Sequence, residues 1–253
     1  MRKNACLTLV LLIATCFCLA AQEADTIKTK RGNLIIHPVL HGSLVLEWEG
    51  STVYIDPYGG GDLYSALPDP DLILITDIHG DHQDQSTLSA LNTEESVYMV
   101  PQAVADKFET KPKKYKVIAN DESLIFGAMR ITAIPMYNLT EEKKNFHTKG
   151  RGNGYLIEVD GKRIYVSGDT EDIPEMRALK DIDIAFVCMN LPYTMTVEQA
   201  ADAVLEFAPK EVYPYHYRGK PNVSDVNKFE TIINSKNKNI TVVRLDWYPN
   251  DDF

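Results

Sequence analysis

The chain has 253 residues, 44% of them hydrophobic, enough apolar material for one large folded domain. Its formal net charge of −10 argues against nucleic acid or an anionic membrane as the main partner, while leaving room for a local basic pocket.

In chain order, residues 1–21 come first and read as a secretory signal. Arg2 and Lys3 form a basic start, residues 7–20 are apolar, and Ala20 and Ala21 precede polar Gln22. The apolar run is short for a membrane span, so no stable insertion is expected after cleavage. Cys16 and Cys18 raise a lipoprotein reading, which Thr15 before Cys16 disfavours. Residues 22–253 are then expected to form a single domain in the periplasm or outside the cell. Cleavage removes two positive charges and no acid, so the formal charge becomes −12. Of the four cysteines only Cys188 remains, inside the apolar run 184–188. It can form no internal disulfide and is expected to be buried and inert.

Strand-like runs follow at 34–38, 43–48, 52–56, 71–76, 97–100, 123–126 and 129–134. Further runs lie at 155–159, 163–167, 183–188, 211–215 and 240–245. Helical patterns fit 85–91, 101–109, 174–179, 196–207 and 223–234. The clearest is 196–207, with Thr196 as candidate cap and Val197, Ala200, Ala201, Val204 and Leu205 on one face. There is an internal echo: Gly50-Ser-Thr-Val-Tyr-Ile-Asp56 resembles Gly161-Lys-Arg-Ile-Tyr-Val-Ser-Gly-Asp169. Each segment is followed by an Asp-led apolar strand, at 71–75 and 183–187. Two similar β-rich halves predict an α/β chain with two sheets face to face and helices outside.

The chemistry concentrates in Ile75-Thr-Asp-Ile-His-Gly-Asp-His-Gln-Asp84, directly after an apolar strand. Asp77, His79, Asp81 and His82 offer alternating carboxylates and imidazoles, a pattern suited to divalent metal binding. In an extended segment Asp77, His79 and Asp81 point one way and His82 the other, unless the chain turns at Gly80. The plainer reading is a solvated turn with Asp81 capping the helix that starts near Gln83. Two of the chain's six His bracketed by two Asp favour metal. Asp169, past a strand and after Gly168, could bridge two cations; His216 ends another strand; His147 lies in a polar loop. Each of these three has a plain structural reading when taken alone. His41, in His41-Gly-Ser43, could be a ligand or a supporting donor, and His37 reads as structural.

Taken together, these motifs resemble the metallo-β-lactamase superfamily. The matching residues are His41-Gly-Ser43, Tyr54-Ile-Asp-Pro57, Thr76 to His82, the His147 region, Ser167-Gly-Asp-Thr170 and Pro214-Tyr-His216. Pro135-Met-Tyr-Asn138, Phe146 to Gly150 and Gly154 to Glu158 are similar to the Zn-dependent hydrolase branch that includes ascorbate-6-phosphate lactonase-like proteins. The resemblance spans about residues 34–248 and implies a four-layer αββα sandwich with metals at one sheet edge. Carried over by motif, one ion takes Asp77, His79 and His147, the other Asp81, His82 and His216, and Asp169 bridges them. Asn138 is the alternative to His147. Position 77 departs from the pattern, because Asp stands where the family has His. That hardens the site, so Mn²⁺ or Fe²⁺ joins Zn²⁺ as a candidate, and it could leave one ion in place of two.

The resemblance implies hydrolysis by a metal-bound hydroxide on an ester, lactone, amide or phosphodiester bond of a small substrate. Asp81 would orient the water, and His41 would support the site. Lys149, Arg151, Tyr215 and Arg218, with Tyr217 and Lys220 nearby, are candidates for holding an anionic substrate. The rival readings are a non-catalytic metal- or ligand-binding module and an iron oxidoreductase on the same scaffold. Oligomeric state is not legible.

Overall fold

Period-2 alternation decides which way each strand faces. In the first half Val53, Ile55, Leu72, Leu74 and Met99 belong to one buried cluster, while their neighbours Tyr54, Ile73 and Tyr98 belong to another. The first cluster is the seam between two sheets. The second lies under two helices on the outer face of the first sheet.

The computed structural model describes residues 23–249; the signal segment expected at 1–21 lies outside them. The first sheet holds β1 (Asp25–Lys28), β2 (Asn33–Leu40), β3 (Ser43–Trp48), β4 (Ser51–Ile55), β5 (Leu72–Leu74), β6 (Val97–Val100) and β7 (Tyr115–Val117), in sequence order across the sheet. The second holds β8 (Ser123–Phe126), β9 (Met129–Met136), β10 (Gly152–Val159), β11 (Lys162–Val166), β12 (Ile184–Val187), β13 (Glu211–Pro214) and β14 (Thr241–Val242). Both sheets are mixed. The helices are α1 (Gln85–Ala90), α2 (Gln102–Lys107), α3 (Pro174–Arg177), α4 (Val197–Phe207) and α5 (Val226–Lys236). Leu88 and Val104 pack on the first sheet, and Met176, Ala200, Val204 and Phe229 on the second. The expected αββα sandwich is therefore present. Among the described residues no helix is long and apolar enough to cross a membrane.

The internal echo is structural. β3–β4 turns through Glu49 and Gly50 (φ 50° and 75°), and β10–β11 through Asp160 and Gly161 (φ 48° and 80°). These are two-residue turns with both residues left-handed, the geometry that suits the twist of a hairpin. The next strand then pairs parallel in each half, β4 with β5 and β11 with β12. Asp71 accepts the Thr52 N–H at 2.8 Å, and Asp183 accepts the Arg163 N–H at 2.9 Å, so each crossover is pinned alike.

Of the two helix caps expected from sequence, that at Thr196 is present and that at Asp81 is not. Thr196 and Gln199 form a reciprocal cap on α4, whose buried face includes Ala203 while Leu205 is half-buried. The cap of α1 is Asp84, which accepts from the Ser86 and Thr87 N–H groups; Asp81 is free of that duty. Cys188 is buried, and burial raises its thiol to about 12. His37 pairs with Glu47 on the neighbouring strand at 2.5 Å.

Tyr155 ties the sheets together beneath the 75–84 loop. Its hydroxyl is 2.8 Å from the Ile75 carbonyl and 3.1 Å from the Met99 carbonyl, and has one proton to give. Tyr155→Phe strands buried carbonyls, so it is expected to destabilise the fold by about 1–3 kcal/mol in urea unfolding, with an unchanged m-value.

Candidate metal centre

The loop after β5 turns back on itself: His82 and Gln83 N–H groups both donate to the His79 carbonyl, at 3.0 and 2.8 Å. The turn drives His82 into the protein, where its Nδ1 lies 2.7 Å from Asp56 Oδ2. Asp56, at the end of β4, is itself held by the Thr76 N–H at 2.7 Å and the Thr76 hydroxyl at 2.5 Å. A carboxylate that accepts the Nδ1–H hydrogen bond turns Nε2 inward. That Nε2 is 3.3 Å from His216 Nε2 and 3.5 Å from Asp169 Oδ2. Sequence reading assigned Asp56 no role; an acid closing an apolar strand just before Pro57 was the available signal.

Asp169 is the hub. Its Oδ2 lies 3.2 Å from His147 Nε2, and its Oδ1 lies 3.3 Å from His216 Nε2. Asn190, also missed from sequence, donates to Oδ2 at 3.3 Å. Gly168 makes this placement possible: its φ is +59°, and a Cβ there would sit 2.5 Å from Met136 Sδ. Of the two alternatives, His147 faces the centre. Asn138 stands behind it, its Nδ2 3.1 Å from His147 Nδ1 and its N–H bonded to the His147 carbonyl at 2.9 Å.

On the other side His41 Nε2 is 3.3 Å and His216 Nε2 3.6 Å from Asp81 Oδ2. The Tyr248 hydroxyl accepts the Arg218 N–H at 3.1 Å and lies 2.7 Å from His41 Nδ1. With that proton given to Nδ1, His41 turns an Nε2–H toward Asp81. His41, Asp56 and His216 all hold positive φ (59°, 47° and 46°), at a cost on the order of 1–3 kcal/mol each. Such strain gathers where side chains must be aimed. The tight approach also explains Gly42, where a Cβ would lie 2.9 Å from His216 Cδ2.

Asp77 is held by a second side chain. It is fully buried, and the Arg151 guanidinium grips both its oxygens: Nε to Oδ1 at 3.0 Å and Nη2 to Oδ2 at 2.9 Å. His79 Nδ1 is 2.6 Å from the same Oδ2.

The electrostatics suit a cation. Burial disfavours a charged His82, yet Asp56, Asp81 and Asp169 together hold its pKa well above the ordinary value. Burial pushes the imidazole of His216 down to about 3. Asp169 stays ionised despite burial because His216 and His82 face it, and Asp81 because of His82 and His41. His147 Nε2 and Asp169 Oδ1 are buried without a hydrogen bond, polar atoms that a bound ion would satisfy. Among the described residues three donor groups come close enough to hold an ion: His82–Asp169–His216, His41–Asp81–His216 and Asp77–His79–His147. Imidazole and carboxylate donors of this kind fit Zn²⁺, Mn²⁺ or Fe²⁺.

These groups floor a cavity of about 500 Å³ walled by Leu40, Tyr58, Phe146, Tyr193, Arg218 and Lys220. Of the residues expected to meet substrate, Arg218 lines it. Lys149 does not: it bonds Glu175 at 2.9 Å and Tyr137 at 3.2 Å. Arg151 is committed to Asp77. Tyr215 is buried, its hydroxyl accepting the Gly168 N–H at 3.0 Å. Tyr215 and His216 follow the end of β13, where consecutive side chains point to opposite sides.

Two outcomes check this geometry. Asp56→Asn is expected to weaken Zn²⁺ binding roughly 10- to 100-fold in a chelator competition, because His82 loses the group that sets its tautomer. Gly168→Ala is expected to lower unfolding free energy by about 1–3 kcal/mol in denaturant titrations.

The comparisons with known proteins converge on one family. A family model described as a β-lactamase superfamily domain matches residues 36–216. A UPF0173 metal-dependent hydrolase of Pyrococcus furiosus is 31% identical over 207 residues, covering 75% of this chain and 88% of the relative. A crystal structure described as a metal-dependent hydrolase from Parabacteroides distasonis superposes with a TM-score of 0.80 at 37% identity, covering 90% of this chain and all of that one. Igni18, a metallo hydrolase of Ignicoccus hospitalis, shares the fold, with a TM-score of 0.72 at 22% identity over 84% of this chain and 95% of its own. With the sandwich, the motif order and these matches in agreement, the chain belongs to the β-lactamase superfamily domain family.

Proposed function

We propose that the chain is a metal-dependent hydrolase that cleaves an ester, lactone, amide or phosphodiester bond of a small molecule. The observation that carries this reading is Asp169 standing between two sets of imidazoles at the floor of an open cavity. The metal-dependent hydrolases of P. furiosus and P. distasonis among its relatives support it. His82, His216 and Asp81 would hold one divalent ion and His79 with His147 a second, Asp169 serving both. Zn²⁺ is our first choice, with Mn²⁺ or Fe²⁺ as alternatives. Ions there supply Lewis acidity toward a carbonyl or phosphoryl oxygen and lower the pKa of water to roughly 7.

The chain's own residues do the rest. Asp81 is partly exposed at the cavity floor and is held by His41, so its carboxylate can orient an incoming water. Tyr248 fixes His41 in turn. Phe146 and Tyr193, whose rings meet edge-on at 5.2 Å, form an apolar wall for an organic group. Arg218 and Lys220 on the cavity wall suit a substrate with a carboxylate or phosphate. We also propose that residues 1–21 direct export and that the mature chain works in the periplasm or outside the cell.

One observation favours a second reading, a metal- or ligand-binding module without turnover: Asp77 is tied to Arg151. Turnover of Zn²⁺-loaded protein on a panel of esters, lactones, phosphodiesters and β-lactams separates the two. Under the hydrolase reading Asp81→Ala lowers kcat roughly 100-fold or more, and Asp169→Asn loses both metal and turnover. Wild-type protein that binds metal and turns over nothing on the panel favours the module. Unchanged turnover in Asp81→Ala removes Asp81 from the mechanism.

A further inference from the structure

We infer that Asp77 is a positioning residue for His79, not an ion ligand, and that Arg151 makes it one. The inference rests on the metal-centre reading and concerns how the two ion positions differ.

Asp77 and Asp56 do parallel work. Asp56 Oδ2 lies 2.7 Å from His82 Nδ1, and Asp77 Oδ2 lies 2.6 Å from His79 Nδ1. In each pair the carboxylate accepts a hydrogen bond from Nδ1–H and leaves Nε2 to meet an ion. The difference is what holds the carboxylate. Thr76 holds Asp56 with neutral donors. Arg151 holds Asp77 with a planar two-point grip that engages both oxygens, a strong and directional pairing. Asp77 would have to break that grip to enter a coordination shell, leaving a guanidinium only 18% exposed without its partner. Arg151 also donates to the Phe146 carbonyl, and its N–H bonds the Thr148 carbonyl at 3.1 Å. One side chain thus locks Asp77 to the loop that carries His147.

The electrostatic consequence is an asymmetric centre. The position beside His82 and His216 faces Asp56, Asp81 and Asp169. The position beside His79 and His147 faces Asp169 and an Asp77 whose charge Arg151 cancels. With one fewer ligand and less negative charge, the second position binds its ion more weakly. Occupancy is sequential: the first ion enters beside His82, the second only at higher concentration.

The test is a Zn²⁺ titration of the mature protein against a chelator, with imidazole ¹⁵N NMR of the Zn²⁺-saturated protein. The expected result is one tight equivalent and a second at least roughly tenfold weaker, with His79 carrying a proton on Nδ1 and Zn²⁺ on Nε2. Asp77→Asn is expected to leave the first step unchanged and to weaken the second roughly tenfold or more, because His79 loses its tautomer. The double variant Asp77→His, Arg151→Met supplies a third imidazole without the cation, and its second step is expected to tighten toward the first. Two equal steps in the wild type, or Zn²⁺ on His79 Nδ1, overturns the inference while leaving the metal centre intact. No bound Zn²⁺ overturns both. If either variant does not fold, the wild-type titration and spectrum decide the question by themselves.

Discussion

Four carboxylates crowded into one region set the terms for everything else in this protein. Asp56, Asp77 and Asp169 are buried, and Asp81 stands partly exposed beside them. An ionised carboxylate withdrawn from water without compensation costs many kcal/mol, so each must be answered by a donor or a cation. Thr76 and His82 answer Asp56, Arg151 answers Asp77, and three imidazoles converge on Asp169. The hub still has an oxygen without a hydrogen bond, 3.3 Å from His216 Nε2. A metal ion at the hub would answer that oxygen.

That arrangement is affordable only because the scaffold beneath it is stiff. Each half of the chain repeats a hairpin, a parallel crossover and an Asp that pins the crossover to the start of the preceding strand. The repeat brings the ends of β4, β5, β11 and β13 to one edge, and each end delivers a polar residue there. Tyr155 links that edge across the sandwich seam. A dense apolar core lets the rim tolerate three residues at positive φ, where the strain aims His41, Asp56 and His216 into place.

Asp77 shows how one position can change duty without dismantling a site. A carboxylate in place of an imidazole brings a negative charge into a buried setting, and Arg151, 74 residues later, neutralises it. The pair keeps His79 oriented and ties down the His147 loop, so the geometry of the centre survives while its charge distribution becomes unequal.

Much of the architecture was legible in the order of residues. Apolar runs located twelve of the fourteen strands among the described residues, and helical periodicity located their five helices, because these signals are local. The missed strands, β1 and β7, are short and lack a fully buried residue, so they carry no apolar alternation to read. The cluster of Asp and His around residues 77–82, with Asp169, His147 and His216, was visible as a set of metal-ligand types. What only the tertiary structure decided is pairing. Asp56 meets His82, Tyr248 meets His41, and Lys149 turns to Glu175 away from the cavity. A side chain's chemical type is written in the sequence. Its partner depends on strand twist and loop closure over tens to hundreds of residues, and partners set whether an aspartate holds an ion, a histidine or an arginine.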